Sequence, residues 1–395
     1  MPEASIILQP KKARPFYARH PWVFAGAVAR VEGEPADGGE VDLLSHTGNF
    51  IARGFFNSKS KIRVRLFSWE QGISLDREFF KTRLQNAMRL RQDLGLLDAQ
   101  GACRLVASEG DFLSGLTVDR YGQWLVAQFT SLGMGQRKDL IAGLLMELAQ
   151  PKGILLRTEK GIGKLEGLEF PDEWVGSAPT GATVPILEHG CEIQVSMSEG
   201  QKTGYYLDQR DNRLAASKFA AGKRVLDVFC YGGGFTLHCL KQGASQCLGI
   251  DQSASALQLA ELNLKNNQLA NATWVQGDAF DELDKLATAG EKFGMVILDP
   301  PRFSRGRDSV DEALGGYRRL HTLALRLLEP DGFLVSCCCS GSITMDMMVD
   351  LIAQVGSKEK REIRILEKRG PAPDHPVAVS CLESGYLKCL VSFVR

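Results

Sequence analysis

Three cysteines, Cys337, Cys338 and Cys339, stand side by side and run straight into Ser340-Gly341. A cysteine thiolate is a strong nucleophile, and reactive ones sit partly exposed. On an extended strand alternate residues face opposite sides, so Cys337 and Cys339 share one face and Cys338 takes the other. Cys339 comes last, where an apolar run gives way to a turn. Its place suits a nucleophile. Small core filler is the competing reading, because free cysteine is commonly buried; Cys337 and Cys338 read as filler. Four other features carry polar chemistry: Asp227 with the run Gly232-Gly233-Gly234, then Asp251, Asp278, and Asp299-Pro300-Pro301.

The elements that must position these residues follow a pattern. After about residue 200 the chain alternates strand, turn and helix. "RVLDVF", "QCLGID", "ATWVQGDAF", "GMVILDPP" and "FLVSCC" read as strands, and "TLHCLKQG", "SASALQLAELNLKNNQ" and "GYRRLHTLALRLLEPDG" as helices. Such alternation predicts a parallel, doubly wound sheet, which binds ligands at the carboxyl ends of its strands. All the features named above fall at those ends. Glycines let the backbone approach a ligand closely. Asp251 lies 24 positions past Asp227, where a ribose-binding carboxylate belongs. A dinucleotide would suit both, but the strict G-x-G-x-x-G is absent. Asp278 can accept from an adenine amino group, and Asp-Pro-Pro holds a polar group rigidly. A tight turn for the glycines and a helix cap for Asp251 are the simpler readings. Taken together, the four features resemble the class I S-adenosylmethionine (SAM) methyltransferases.

That resemblance bears on the acceptor. Amino groups need only hydrogen-bond acceptors around the nitrogen. Carbon 5 of a pyrimidine is barely nucleophilic, so a thiolate must first add to carbon 6. A cysteine ending the fifth strand would lie beside the Asp-Pro-Pro turn.

Upstream, residues 1–70 read as short strands separated by Gly, Asp and Ser, as in a small barrel. "SLDREFFKTRLQNAMRLRQDLGL" puts Phe80, Leu84 and Ala87 on one helical face, with a soft start because Ser74 and Arg77 make no capping box. "CRLVAS", "GLTVDRYG" and "WLVAQFTS" follow as strands, "RKDLIAGLLMELA" as a helix and "GSAPTGATVP" as a loop, giving a mixed α+β region. The expected domains are 1–73, 74–190 and 191–395. Lys+Arg and Asp+Glu are 47 each, so net charge names no partner. Lys11, Lys12, Arg14, Arg19 and Arg30 against Glu3 give the first 30 residues a basic bias. Residues 358–369 have a similar bias. Ten cysteines without C-x-x-C pairs argue against zinc and for reduced thiols in a cytoplasm. The charged N-terminus lacks a signal peptide's apolar core, and no run reaches the roughly 18 apolar residues of a membrane span.

"GQKTGYYLDQRDNR" (200–213), "DVFCYGGGF", "DPPRFS" and "CCSGSIT" resemble the bacterial 23S ribosomal RNA (cytosine-5-)-methyltransferases. "RHPWVFAGAV" and "ARGFFNSKSKIRVRLF" resemble that family's PUA domain, "ASEGDFLSGLTVDRYG" its intermediate signature, and "DHPVAVSCLESGYLKCLV" its ending. The resemblance spans essentially the whole chain. It implies an RNA-binding PUA barrel, an α+β intermediate domain and a Rossmann-like methyltransferase domain, with SAM as cofactor and 23S rRNA as substrate. Cys338-Cys339-Ser340-Gly341 aligns with the family's Ser-Cys-Ser-Gly, making Cys339 the nucleophile; Cys338 departs from the usual serine. Ser114 replaces an expected proline. Asp299 would face the base. SAM contacts would come from Gln209, Asp227, Tyr231, Gly232, Gly234, Asp251, Gln252, Asp278, Ala279 and Asp299. RNA contacts would come from Lys11, Lys12, Arg14, Arg19, Lys202, Tyr205, Tyr206, Arg210, Arg302 and Arg305. The tyrosines offer stacking faces for an extruded base, and Lys202, Arg210, Arg213 and Arg307 offer phosphate partners. No metal or membrane is expected, and a homodimer is left open. An rRNA guanine N-methyltransferase and a non-catalytic RNA-binding assembly factor are the alternatives.

Overall fold

A computed structural model describes residues 4–159, 161–197, 204–303 and 310–395. The chain forms two compact units. One comprises Met1–Ile186, Val195–Leu207 and Pro373–Ser384; the other comprises Leu187–Gln194, Asp208–Ala372 and Gly385–Arg395.

In the first unit, β1 (Ser5–Leu8), β2 (Trp22–Phe24), β3 (Val28–Glu32), β4 (Glu40–Leu44), β5 (Phe50–Phe56) and β6 (Ile62–Ser68) form a six-stranded sheet in the order β2-β6-β5-β4-β1-β3. β4 alternates as the sheet period demands: Val41 and Leu43 are buried with Ile6, Leu8, Val64 and Leu66, while Asp42 turns out to pair with Arg53 at 2.8 Å. A second sheet runs β11-β10-β9-β8-β7, from β7 (Ala102–Ala107), β8 (Leu116–Tyr121), β9 (Trp124–Phe129), β10 (Gly153–Thr158) and β11 (Glu173–Gly176). The helix Arg77–Asp93 buries Phe80, Leu84 and Ala87, the face its spacing predicts. Its start is firmer than expected, because Asp76 caps it by accepting from the Phe79 N–H at 3.1 Å. Arg91, one turn beyond Ala87, is fully buried; it donates to both Asp111 oxygens and to the Asp374 carbonyl. β12 (Val184–Glu188) and β13 (Cys191–Val195) pair as a two-stranded sheet.

The second unit is built on β14 (Arg224–Val228), β15 (Gln246–Asp251), β16 (Ala272–Gln276), β17 (Phe293–Leu298), β18 (Leu328–Cys338), β19 (Ile363–Arg369) and β20 (Lys388–Val394), in the order β16-β15-β14-β17-β18-β20-β19. β14 to β18 pair in parallel. Helices Gly234–Lys241, Ala254–Asn266, Ala279–Thr288 and Val310–Leu327 form the crossovers between them. Every residue of β17 is buried, as expected of a strand covered on both faces. Leu226, Val228, Val296, Leu298 and Leu334 share a core with Tyr317, Leu320, Leu351 and Ile352. The predicted α/β fold is present, with one addition. β20 runs antiparallel to both β18 and β19, so the sheet is not parallel throughout. No α-helix lies between β19 and β20, so the chain has no crossover and returns reversed.

Candidate active site

Because β14 to β18 are parallel, their carboxyl ends share one edge of the sheet. Asp227 lies in β14, Asp251 ends β15, Asp278 follows β16, Asp299 follows β17 and Cys339 follows β18. The sequence places each of them there, and the register agrees.

The turn after β14 is tightly wound. Phe229 (φ 67°), Tyr231 (φ 48°) and Gly233 (φ 76°) all take left-handed backbone, which only glycine adopts readily. A Cβ on Gly233 would also meet the Trp274 ring at 2.9 Å. Anions and amides hold this turn. Asp227 Oδ2 accepts from the Thr236 N–H at 3.1 Å and the Thr236 hydroxyl at 2.8 Å. Asp251 accepts from the Tyr231 N–H and the Ser253 N–H, each at 2.9 Å. Asn263, fully buried, donates to the Gly232 carbonyl at 2.9 Å. Neither Thr236 nor Asn263 was anticipated; the helix-facing Asn inside an apolar stripe was the available signal. Asp227 Oδ1 is buried with no hydrogen-bond partner among the described residues. Burial pushes the Asp227 carboxyl up to about 6, against the pull of the Thr236 bonds and aided by Asp251.

Asp278 has a structural task. Its Oδ1 caps the helix Ala279–Thr288 by accepting from the Phe280 and Asp281 N–H groups, and its Oδ2 accepts from Gln252 at 2.8 Å. Asp299 is half-buried, and its carboxyl is pushed up to about 7 by burial and then by Asp208. The Gln209 amide donates to Asp299 Oδ1 at 2.9 Å, opposing that rise. Gln209 in turn accepts from Asn212 at 2.7 Å. Gln209, expected among the cofactor contacts, has its side chain engaged with Asp299 and Asn212.

At the end of β18 the three thiols separate. Cys337 lies opposite Cys389 in the β18–β20 register, and the contact with Cys389, with burial, pushes its thiol far up. Cys338 is enclosed in the core beside the helices. All ten cysteines are described; nine are buried and Cys339 is half-exposed. Cys339 Sγ lies 3.7 Å from the Pro300 carbonyl, so thiol and Asp-Pro-Pro turn are adjacent. Arg302 Nε donates to the Cys339 carbonyl at 3.1 Å. Lys388 Nζ donates to the Ser340 carbonyl at 2.6 Å and the Tyr386 carbonyl at 2.7 Å.

The residues expected to touch RNA divide. Lys11, Lys12, Arg14, Arg19 and Arg302 are exposed, and Tyr206 is half-buried. Lys202, Arg305 and Arg307 lie outside the described residues. Two expectations need correcting. Tyr205 is buried, with its backbone N–H donating to the Tyr121 hydroxyl at 3.0 Å, so its ring offers no open stacking face. Arg210 is buried against Asp211 at 3.2 Å and cannot grip a phosphate at the surface. Arg213 is likewise buried in a two-bond pair with Glu188. One mixed cluster, His20, Cys381 and Glu383, has ligand-type atoms within 4.8 Å of one another. The His20 Nδ1 accepts the Trp22 N–H, which puts the ring proton on Nε2, facing Glu383. Among the described residues no helix is long and apolar enough to cross a membrane.

Comparison with known proteins agrees with this geometry. Residues 6–69 match the PUA-like domain family, and residues 169–385 match the S-adenosylmethionine-dependent methyltransferase family. The chain is 37% identical over 385 residues to ribosomal RNA large subunit methyltransferase I of Escherichia coli O157:H7, covering 97% of each chain. It is 38% identical over 386 residues to the protein of that name from Klebsiella pneumoniae strain 342, covering 97% of this chain and 96% of that one. Among solved structures it is similar to one described as a SAM-dependent methyltransferase from Streptococcus mutans, at TM-score 0.84 and 21% identity, covering 98% of this chain and 99% of that one. Another, a methyltransferase complexed with SAH, gives TM-score 0.85 at the same identity and coverage. At 21% identity these two speak for the fold alone. The donor set suits SAM, a cationic molecule with a ribose diol: a buried, unpartnered carboxylate oxygen on Asp227 stands at the turn, and Asp251 ends the neighbouring strand. The chain belongs to the SAM-dependent ribosomal RNA large subunit methyltransferase I family.

Proposed function

We propose that this protein methylates carbon 5 of a cytosine in 23S ribosomal RNA through a covalent adduct with Cys339. The observation that carries the reading is the exposure of one thiol in ten, at the end of β18 and 3.7 Å from the Pro300 carbonyl. Attack on an amino or ring nitrogen needs no thiol; attack from carbon 5 does. The names of the E. coli and Klebsiella relatives support a large-subunit rRNA substrate. That substrate would place its work in the cytoplasm.

SAM, when bound, supplies the electrophilic methyl group that carbon 5 receives. Asp227 would meet its positive charge, Asp251 its ribose hydroxyls, and Gly232, Gly234, Tyr231, Gln252, Asp278 and Ala279 would line the same strand ends. Cys339 adds to carbon 6 and raises electron density at carbon 5. After methylation Asp299 takes the carbon-5 proton, and the carbon 6–sulfur bond breaks to return the thiolate. A carboxylate whose proton leaves near pH 7 is well matched to that transfer. Residues 1–73, with exposed Lys11, Lys12, Arg14 and Arg19, would grip the RNA backbone, residues 74–190 would connect, and residues 191–395 would carry the chemistry.

The test uses rRNA transcript, SAM and full-length enzyme, read by nucleoside mass spectrometry. We expect 5-methylcytosine, and a stable adduct at Cys339 with 5-fluorocytosine RNA. Cys339→Ala should lose roughly a thousandfold or more in turnover with SAM binding kept. Methylated guanine, or turnover intact in that variant, would sink the reading.

A further inference from the structure

We propose that Lys388 is the positioning residue and counter-cation of the Cys339 thiolate. The inference rests on the covalent reading above. Lys388 opens β20 directly across from Cys338 in the antiparallel register, so it starts on the Cys338 face one residue before the turn, and is 7% exposed. Lysine is almost never buried without a partner anion. Here its Nζ is held by two carbonyls, those of Ser340 and Tyr386, and among the described residues no carboxylate pairs with it. Carbonyl dipoles solvate an ammonium without neutralising it. Burial, the largest influence, lowers its pKa, and the Arg302 cation adds to that fall; the sulfurs of Cys338 and then Cys339 oppose it. Of those two sulfurs, Cys338 is sealed in the core and Cys339 is open to solvent.

The cation also fixes the turn. Arg302 holds the Cys339 carbonyl at 3.1 Å and Lys388 holds the next one, on Ser340, at 2.6 Å. Two positive charges from two separate elements thus grip consecutive peptides of the nucleophile turn. A nearby opposite charge favours the ionised thiol. The Pro300 carbonyl favours the protonated thiol, but a neutral sulfur–oxygen contact of 3.7 Å is weak beside a full charge. Ionising Cys339 releases its proton to solvent.

Alkylation by iodoacetamide reads the thiolate directly: the thiolate forms a sulfur–carbon bond and expels iodide, with neither RNA nor SAM needed. Peptide mass spectrometry follows Cys339 in the full-length protein from acid to alkaline pH. For the wild type we expect a midpoint at least about one unit below the ordinary cysteine value of about 8.5. Lys388→Met should raise the midpoint and slow alkylation at neutral pH about tenfold, and Lys388→Arg should restore most of the rate. A purely structural lysine would lower the melting temperature in Lys388→Met without moving the midpoint, and that outcome overturns the proposal. A wild-type midpoint at or above about 8.5 also overturns it, and requires no variant to fold. Turnover surviving in Cys339→Ala would instead sink the covalent reading, and this proposal with it. The two failures are distinct, because the alkylation midpoint is measured without substrate.

Discussion

The turns after β14 and β18 are both sharp, both close a parallel strand, and both meet the same edge of the sheet. They are held by groups of opposite charge. Around the first, the Asp227 and Asp251 carboxylates take N–H groups, and one oxygen of Asp227 has no partner among the described residues. Around the second, Arg302 and Lys388 take carbonyls. A turn can be pinned through its donors or through its acceptors, and the choice leaves behind a local charge. The anionic turn suits a cationic cofactor, and the cationic turn suits a thiolate. Two ligand preferences therefore follow from how two loops are stiffened.

The comparison breaks most readily at Asp227. Asp227→Asn keeps the shape and removes the charge, so calorimetry should show SAM binding weakened roughly a hundredfold, with Cys339 alkylation unchanged. Equal binding would separate the carboxylate from the cofactor. In the protein without ligand the same group makes stability depend on pH. The fold raises the Asp227 carboxyl from 3.8 to about 6, so the folded state holds a proton that the unfolded chain has released. Its contribution is therefore favourable below about 4 and is lost as pH rises through about 6, a difference of about 3 kcal/mol. Denaturant titrations from pH 4.5 to 7 should show that trend flattened in Asp227→Asn.

Gln209→Leu probes Asp299, the proton acceptor after β17, beside the second turn. Removing the amide that stabilises ionised Asp299 should shift the acid limb of turnover upward from about 7. The rate at neutral pH should drop about tenfold and recover at higher pH. A limb that stays in place would detach Asp299 from the rate. The smallest effect is a control. Thr344 caps the helix Met345–Lys358 by accepting from the Met347 N–H at 3.2 Å, just beyond the nucleophile turn. Thr344→Ala should cost about 1 kcal/mol of stability and leave the alkylation midpoint where it was.

Much of this was legible in the sequence, because it is local. The strand–helix alternation, the carboxylates at strand ends and the place of Cys339 last in its run all follow from spacing along one element. The cap reading for Asp251 needs shifting by two residues: Ser253 caps the helix by accepting from the Ala256 N–H at 3.2 Å, while Asp251 accepts from the Ser253 N–H. What misled was equally local. Tyr205 and Arg210 sit in a polar, aromatic stretch that reads as an RNA surface, yet burial removes both from it. Neither outcome is written in neighbouring residues, since burial depends on what the rest of the chain lays over them.

By itself the sequence determined which elements form and which reactive side chains stand at their ends, since periods of two and 3.6 are properties of a short segment. Only the tertiary structure decided which thiol faces solvent, which amide orients Asp299, and that a lysine 48 residues beyond Ser340 reaches its carbonyl. The last of these depends on β20 inserting antiparallel beside β18, a long-range pairing that no local pattern encodes.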